Sequence, residues 1–255
     1  MLLLLKLTLV PTLIVLVSLA GARWGARVAG LLAGFPIIAG PILLFLTVQH
    51  GPAFAAQAAL STLYGLLALI AYCLSFCWLA RRWPWWLCLL AGWLVFLAVA
   101  SACQLLPQQL AVAAVLSVLV ITLAPAWFPR LVSNLAAQPL ARIELIWRMA
   151  AAATLVLSLT ALAALLGESW SGVLTPFPVA GSVLGVFALR AGGAAQVTAL
   201  LRGMTTGLYG LWLFFLVAAI GLSAAQQTSH VVLTFVLALL LAIAMQAILL
   251  RYRRH

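Results

Sequence analysis

Acidic side chains are almost absent from this chain. Glu144 and Glu168 are the only two among 255 residues, and charged residues of both signs make up only 6%. A soluble domain of this length needs far more polar surface than that. The missing acids also argue against a cation or proton carrier, which relies on carboxylates within the membrane. Only three histidines occur, and neither H-E-x-x-H nor G-x-S-x-G is present. Ser133 and Asn134 stand without a His–acid pair. We therefore expect no enzyme. Cys73, Cys77, Cys88 and Cys103 all lie in apolar runs with no His or acid beside them. Cys73 and Cys77 share a helix face, but the set reads as packing, with no metal, no cofactor and no disulfide. Long polar stretches are also lacking, which excludes a soluble domain or a charged tail.

What remains is apolar. Hydrophobic residues make up 67% of the chain, in near-continuous runs of a membrane helix's length. Barrel strands would alternate in polarity, and these runs do not. We expect an all-α polytopic membrane protein with nine spans, at roughly 3–21, 28–48, 54–80, 84–105, 108–127, 146–166, 171–189, 195–221 and 228–250. The N-terminal run lacks a basic lead and takes part in the repeat described below, so it is read as the first span and not as a signal peptide. The longest connection, after the fifth span, contains Pro139 and reads as a loop or a short interfacial helix.

The net charge of +11 comes from scattered basic residues, with no basic face for nucleic acid. Placing the N-terminus outside puts Arg23, Arg27, Arg81, Arg82, Arg130, Arg142, Arg148, Arg190, Arg202, Arg251, Arg253 and Arg254 inside, and only Lys6 outside. Such positive-inside bias predicts an N-out, C-in topology and an odd number of spans. "RRWPWW" at 81–86 reads as an interfacial anchor, and the C-terminal "RYRRH" as a contact for anionic lipid headgroups.

A shift of 142 residues carries Gly25 onto Gly167, Gly30 onto Gly172, Phe35-Pro36 onto Phe177-Pro178, Phe45 onto Phe187, Gly51 onto Gly193, Gly65-Leu66 onto Gly207-Leu208 and Gln104 onto Gln246. Leu and Ala matches would be cheap in this composition, but matched Gly, Pro and Phe are not. The expected organisation is a four-helix repeat at 1–106 (spans 1–4), a linking helix and connection at 107–145, and a second repeat at 146–255 (spans 6–9). The odd linking span inverts the second repeat relative to the first, an arrangement found in secondary transporters.

Both repeats carry a Phe-Pro pair inside an apolar run. Proline removes a backbone donor and disfavours helix at the residue before it, and nearby glycines ease unwinding. Unwound backbone in a bilayer must line a cavity or be buried in protein. Breaks at matching positions of two halves point to a transport site. The candidate substrate-binding residues are Gly34, Phe35, Pro36, Gly40, Pro41, Pro176, Phe177, Pro178, Gly181, Ser182, Arg202 and Thr205. Half-helix N-termini favour anions. Against this stands the plain reading that the prolines only kink packed helices. Gln49, His50 and Gln57 read as interfacial, Arg202 as a snorkelling side chain or an anion guide, and Gln104 and Gln246 as interhelical hydrogen-bond donors.

The leading expectation is a secondary transporter or exchanger for a small, anionic organic solute, in a bacterial inner membrane. A carrier of lipid phosphate or polyprenyl phosphate is the second reading. A non-transporting scaffold or accessory subunit of an envelope complex is the third. The partners are a small-molecule or lipid substrate and membrane lipids. Association of identical chains is open, and no nucleic acid is expected.

Overall fold

A computed structural model describes residues 2–36, 39–131, 141–166, 177–225 and 227–252. Helix accounts for 88% of them, and no strand occurs among them. In chain order the helices are α1 (Leu2–Trp24), α2 (Ala26–Ala33), α3 (Ala39–His50), α4 (Pro52–Leu79), α5 (Trp85–Cys103), α6 (Leu110–Trp127), α7 (Arg142–Leu166), α8 (Val179–Ser223) and α9 (Thr228–Tyr252). Five of them, α4, α5, α6, α8 and α9, are long and apolar enough to cross a membrane. The chain is an integral, all-helical membrane protein.

The helices do not match the expected spans one for one. The span expected at 28–48 is divided into α2 and α3, because the chain leaves helical geometry at Gly34–Pro36. The stretches expected as spans 171–189 and 195–221 follow one another along α8, described from Val179, as two helical segments separated where Gly192 and Gly193 leave helical geometry. Gly193 takes φ 69° and ψ −165°, backbone that L side chains rarely adopt. Gly51, its partner at the 142-residue shift, takes φ 86° and ψ 167° where α4 begins. The two glycines open their helices with the same geometry.

Helix α8 is the hub, packing on α2, α4 and α9 above all and also on α6, α7, α5 and α1. Its most apolar stretch is 56% buried and that of α4 67%, against 28% for α5, 28% for α6 and 22% for α9. So α4 and α8 form the centre, while α5, α6 and α9 turn leucine-rich faces outward. Membrane helices gain little from hydrophobic burial against each other, so close packing and hydrogen bonds between helices must hold them. Trp78 Nε1 on α4 donates to the Trp127 carbonyl at the end of α6 (2.9 Å). Trp212 Nε1 on α8 donates to the Ala114 carbonyl of α6 (3.1 Å).

The closest approach is between α2 and α8. Gly34, at the end of α2, faces Gly207 of α8, while Gly30 lies against the Leu200 and Met204 backbone and Gly203 against that of Arg27, small-x-x-x-small spacings on both helices. A methyl on Gly30 would collide with the Leu200 carbonyl oxygen, one on Gly34 with that of Met204, and one on Gly207 with that of Leu31. Backbone meets backbone here, so any side chain forces the helices apart.

Candidate functional site

The first break begins where α2 stops. Gly34 N still donates to the Gly30 carbonyl (3.0 Å), but Phe35 N tightens onto Leu32 (3.1 Å). Leu31 thereby loses its helical donor. Gln246 Nε2 of α9 supplies one, at 3.1 Å from the Leu31 carbonyl. This is how irregular backbone survives in a membrane: a neighbouring helix satisfies it. The Gln246 Oε1 atom is buried without a hydrogen-bond partner. Of the expected interhelical pair, Gln246 plays the role, while Gln104 is exposed at the end of α5.

Helix then resumes on the proline carbonyl. Gly40 N donates to the Pro36 carbonyl (2.9 Å). At the second break Ser182 N donates to the Pro178 carbonyl (2.8 Å), the same bond shifted by 142 residues. Proline lacks the donor that would extend a preceding helix but keeps the acceptor that starts the next one.

The two breaks have different surroundings. Gly34 and Pro36 are buried, and Phe35 is half-buried against Gly210 of α8. Gly40 lies 3.5 Å, measured from a built Cβ, from the ring of Phe214. Pro41 is exposed in the first turn of α3, where a missing N–H costs no helical bond. Phe177 packs its ring on Trp93 and on Phe96, both at 5.4 Å. Pro178 and Gly181 are buried. Pro176 lies outside the described residues. Gly34 rests against the Met204 backbone and Gly181 against the Met204 side chain, so Met204 of α8 stands between the two breaks.

Around the second break lies a buried polar cluster that the sequence did not signal. Ser182 Oγ accepts a hydrogen bond from Trp93 Nε1 of α5 at 2.9 Å. Tyr72 of α4 is fully buried, its ring held between Gly92 of α5 and Gly181 of α8. Its hydroxyl has Ser182 as polar neighbour but makes no hydrogen bond of ordinary geometry. Thr198 Oγ1 is likewise buried without one. Thr205 is fully buried and spends its hydroxyl on the Leu201 carbonyl (3.0 Å), as Thr206 does on Arg202 (3.1 Å). Arg202 itself is half-buried. Spare hydroxyls in an apolar interior are costly, and they mark places where a ligand or water completes the bonding. Tyr72 and Trp93 look in sequence like ordinary apolar filling, and only the glycines facing Tyr72 give it room.

Comparison of the chain with protein-family models, with curated proteins and with solved structures finds no match.

Proposed function

We propose that this protein is a secondary transporter of a small anionic organic solute, working by alternating access about the Phe35-Pro36 and Phe177-Pro178 breaks. The observation that carries the reading is the matched pair of restarts, in which Gly40 bonds to Pro36 and Ser182 to Pro178. Matched glycines, Gly51 and Gly193, follow in the same unusual backbone geometry. We read the pairs as inverted four-helix repeats in a nine-span, N-out bundle, with one half rocking against the other. The restarted helices α3 and α8 aim their positive ends toward the centre from opposite sides in that topology, which favours an anion. The hydroxyls of Tyr72, Ser182 and Thr198 are the polar groups that orient the solute. The basic bias of the connections fits a bacterial cytoplasmic membrane.

A lipid-phosphate carrier is the second reading, favoured by half-buried Arg202 nine residues beyond Gly193. The test is a thermal-shift screen of the purified protein against organic anions, neutral metabolites and lipid phosphates. Pro36→Ala/Pro178→Ala runs beside it, followed by uptake into proteoliposomes. Wild type should be stabilised by one anion class and transport it, and the double variant should fold and lose the transport. Stabilisation by lipid phosphate alone, lost in Arg202→Gln, supports the carrier. Equal behaviour of wild type and double variant reduces the prolines to kinks and leaves the scaffold reading.

A further inference from the structure

One cavity lies away from both breaks. It has a volume of about 50 Å³ and sits where α1, α2, α7 and both halves of α8 converge. Its walls include Ser18, Gly21, Ala29, Glu144, Arg148 and Gln196. That space holds about four water-sized groups, enough for the head of a small oxyanion and too little for a whole organic molecule.

Arg148 is the chemical feature of this cavity. Its side chain is only 12% exposed. Nη1 donates to Ser18 Oγ of α1 at 2.8 Å, and Nη2 donates to Glu144 Oε1 one turn earlier on α7. The guanidinium carbon lies 5.1 Å from the centre of the Phe187 ring. Nε is buried with no hydrogen-bond partner. A guanidinium has five N–H groups in a planar fork suited to carboxylate or phosphate. Here a carboxylate and a hydroxyl take two of them, Nε is enclosed without a partner, and the side chain lines the cavity. Gln196 and Ser18 add uncharged donors on the same walls. Among the described residues Glu144 is the acid facing the arginine, and its side chain is more exposed than its partner's, at 27%. It can swing outward while Arg148 stays fixed by Ser18 and Phe187.

We infer that this cavity is an oxyanion-binding site in which Arg148 is the anchor and Glu144 is an internal stand-in that a carboxylate or phosphate oxyanion displaces. The shared chemistry is a planar or tetrahedral oxyanion, from a free solute or from a lipid headgroup. The inference does not depend on the Phe-Pro breaks binding anything. In the proposed topology the cavity opens at the cytoplasmic side, between the α1–α2 turn and the Gly192–Gly193 kink. The 142-residue shift pairs Arg148 with Lys6, so each half carries one basic residue at this position.

The experiment uses the full chain in detergent and in nanodiscs. Melting temperature and binding are measured with sodium acetate, benzoate and phosphate against chloride at equal ionic strength. The lipid arm compares nanodiscs of phosphatidylglycerol with nanodiscs of phosphatidylcholine. Wild type should be stabilised by oxyanions and not by chloride. Glu144→Gln removes the competitor, so it should melt lower in chloride, recover with oxyanion and bind about tenfold tighter or more. Arg148→Lys keeps the charge but loses the fork, and it should show no oxyanion response. A response from phosphatidylglycerol alone identifies a headgroup as the source. Two results overturn the inference: an oxyanion response in Arg148→Lys equal to wild type, or none in wild type with any probe. If Glu144→Gln does not fold, the comparison of wild type with Arg148→Lys decides. The Pro36→Ala/Pro178→Ala protein should keep the oxyanion response, so failure of the transport reading and failure of this one remain distinguishable.

Discussion

Tyr72 shows how a single residue separates stability from function here. A buried hydroxyl left without a partner costs about 1–3 kcal/mol. Tyr72→Phe should therefore melt at the same temperature as wild type or higher. If the hydroxyl orients a solute, the same variant should bind and transport that solute less well. A rise in melting temperature with unchanged transport would assign Tyr72 to packing alone. Ser182→Ala has the opposite sign for stability, because it strands Trp93 Nε1. We expect a loss of about 1–2 kcal/mol, read from thermal unfolding by tryptophan fluorescence. The asymmetry arises because removing a donor's acceptor leaves a desolvated group behind, whereas removing an orphan does not. The four cysteines illustrate the residue scale from the other side. All four are buried, which agrees with reading them as packing residues.

Among the elements, the breaks and glycines decide the architecture. Gly51 has open space where a Cβ would stand, and so has Gly193. Alanine at either position meets no neighbour, and its cost comes from backbone conformation alone, about 1–3 kcal/mol. Gly34→Ala is the steric counterpart, since its methyl would strike the Met204 carbonyl and Gly207. Overpacking of this kind costs about 1–3 kcal/mol, often more when backbone is the obstacle. All three variants should melt lower than wild type. Shortening Met204 to Ala should not restore Gly34→Ala, because the clash is with the Met204 and Gly207 backbone. Full rescue by that second change would refute the backbone-to-backbone crossing. The Phe-Pro breaks were legible in sequence because proline acts locally. The packing of Gly30 and Gly34 on the α8 backbone, and of Gly203 and Gly207 on that of α2, was not, since it depends on which distant faces meet.

For the molecule as a whole, the proposed topology is the claim to check. The connection at 104–109 should face outside and the one at 80–84 inside. Single cysteines at Gln108 and Arg82, in a protein lacking its four native cysteines, report this by labelling with a membrane-impermeant maleimide in intact cells. Labelling of Gln108→Cys alone supports N-out. Labelling of Arg82→Cys alone reverses the orientation, and labelling of both or of neither contradicts nine spans.

Apolar runs of membrane length and sparse charge established by themselves that the chain is helical and that it belongs in a membrane, and the prolines pointed to Phe35-Pro36 and Phe177-Pro178 as places where helix is hard to continue. Those properties are local: they depend on side-chain solubility and on a proline's own missing donor. The tertiary structure decided what is not local. It set the turn between the two segments of α8 at Gly192–Gly193, where both glycines leave helical geometry and Gly193 takes a positive φ. It made Gln246 the donor for an orphaned Leu31 carbonyl 215 residues away. It turned Arg148 from a topology signal into the anchor of a cavity, because Ser18, Phe187 and Gln196 come from three other stretches of chain. A residue's chemistry is written in its type, but its partners are set by which helix faces can approach closely enough to touch.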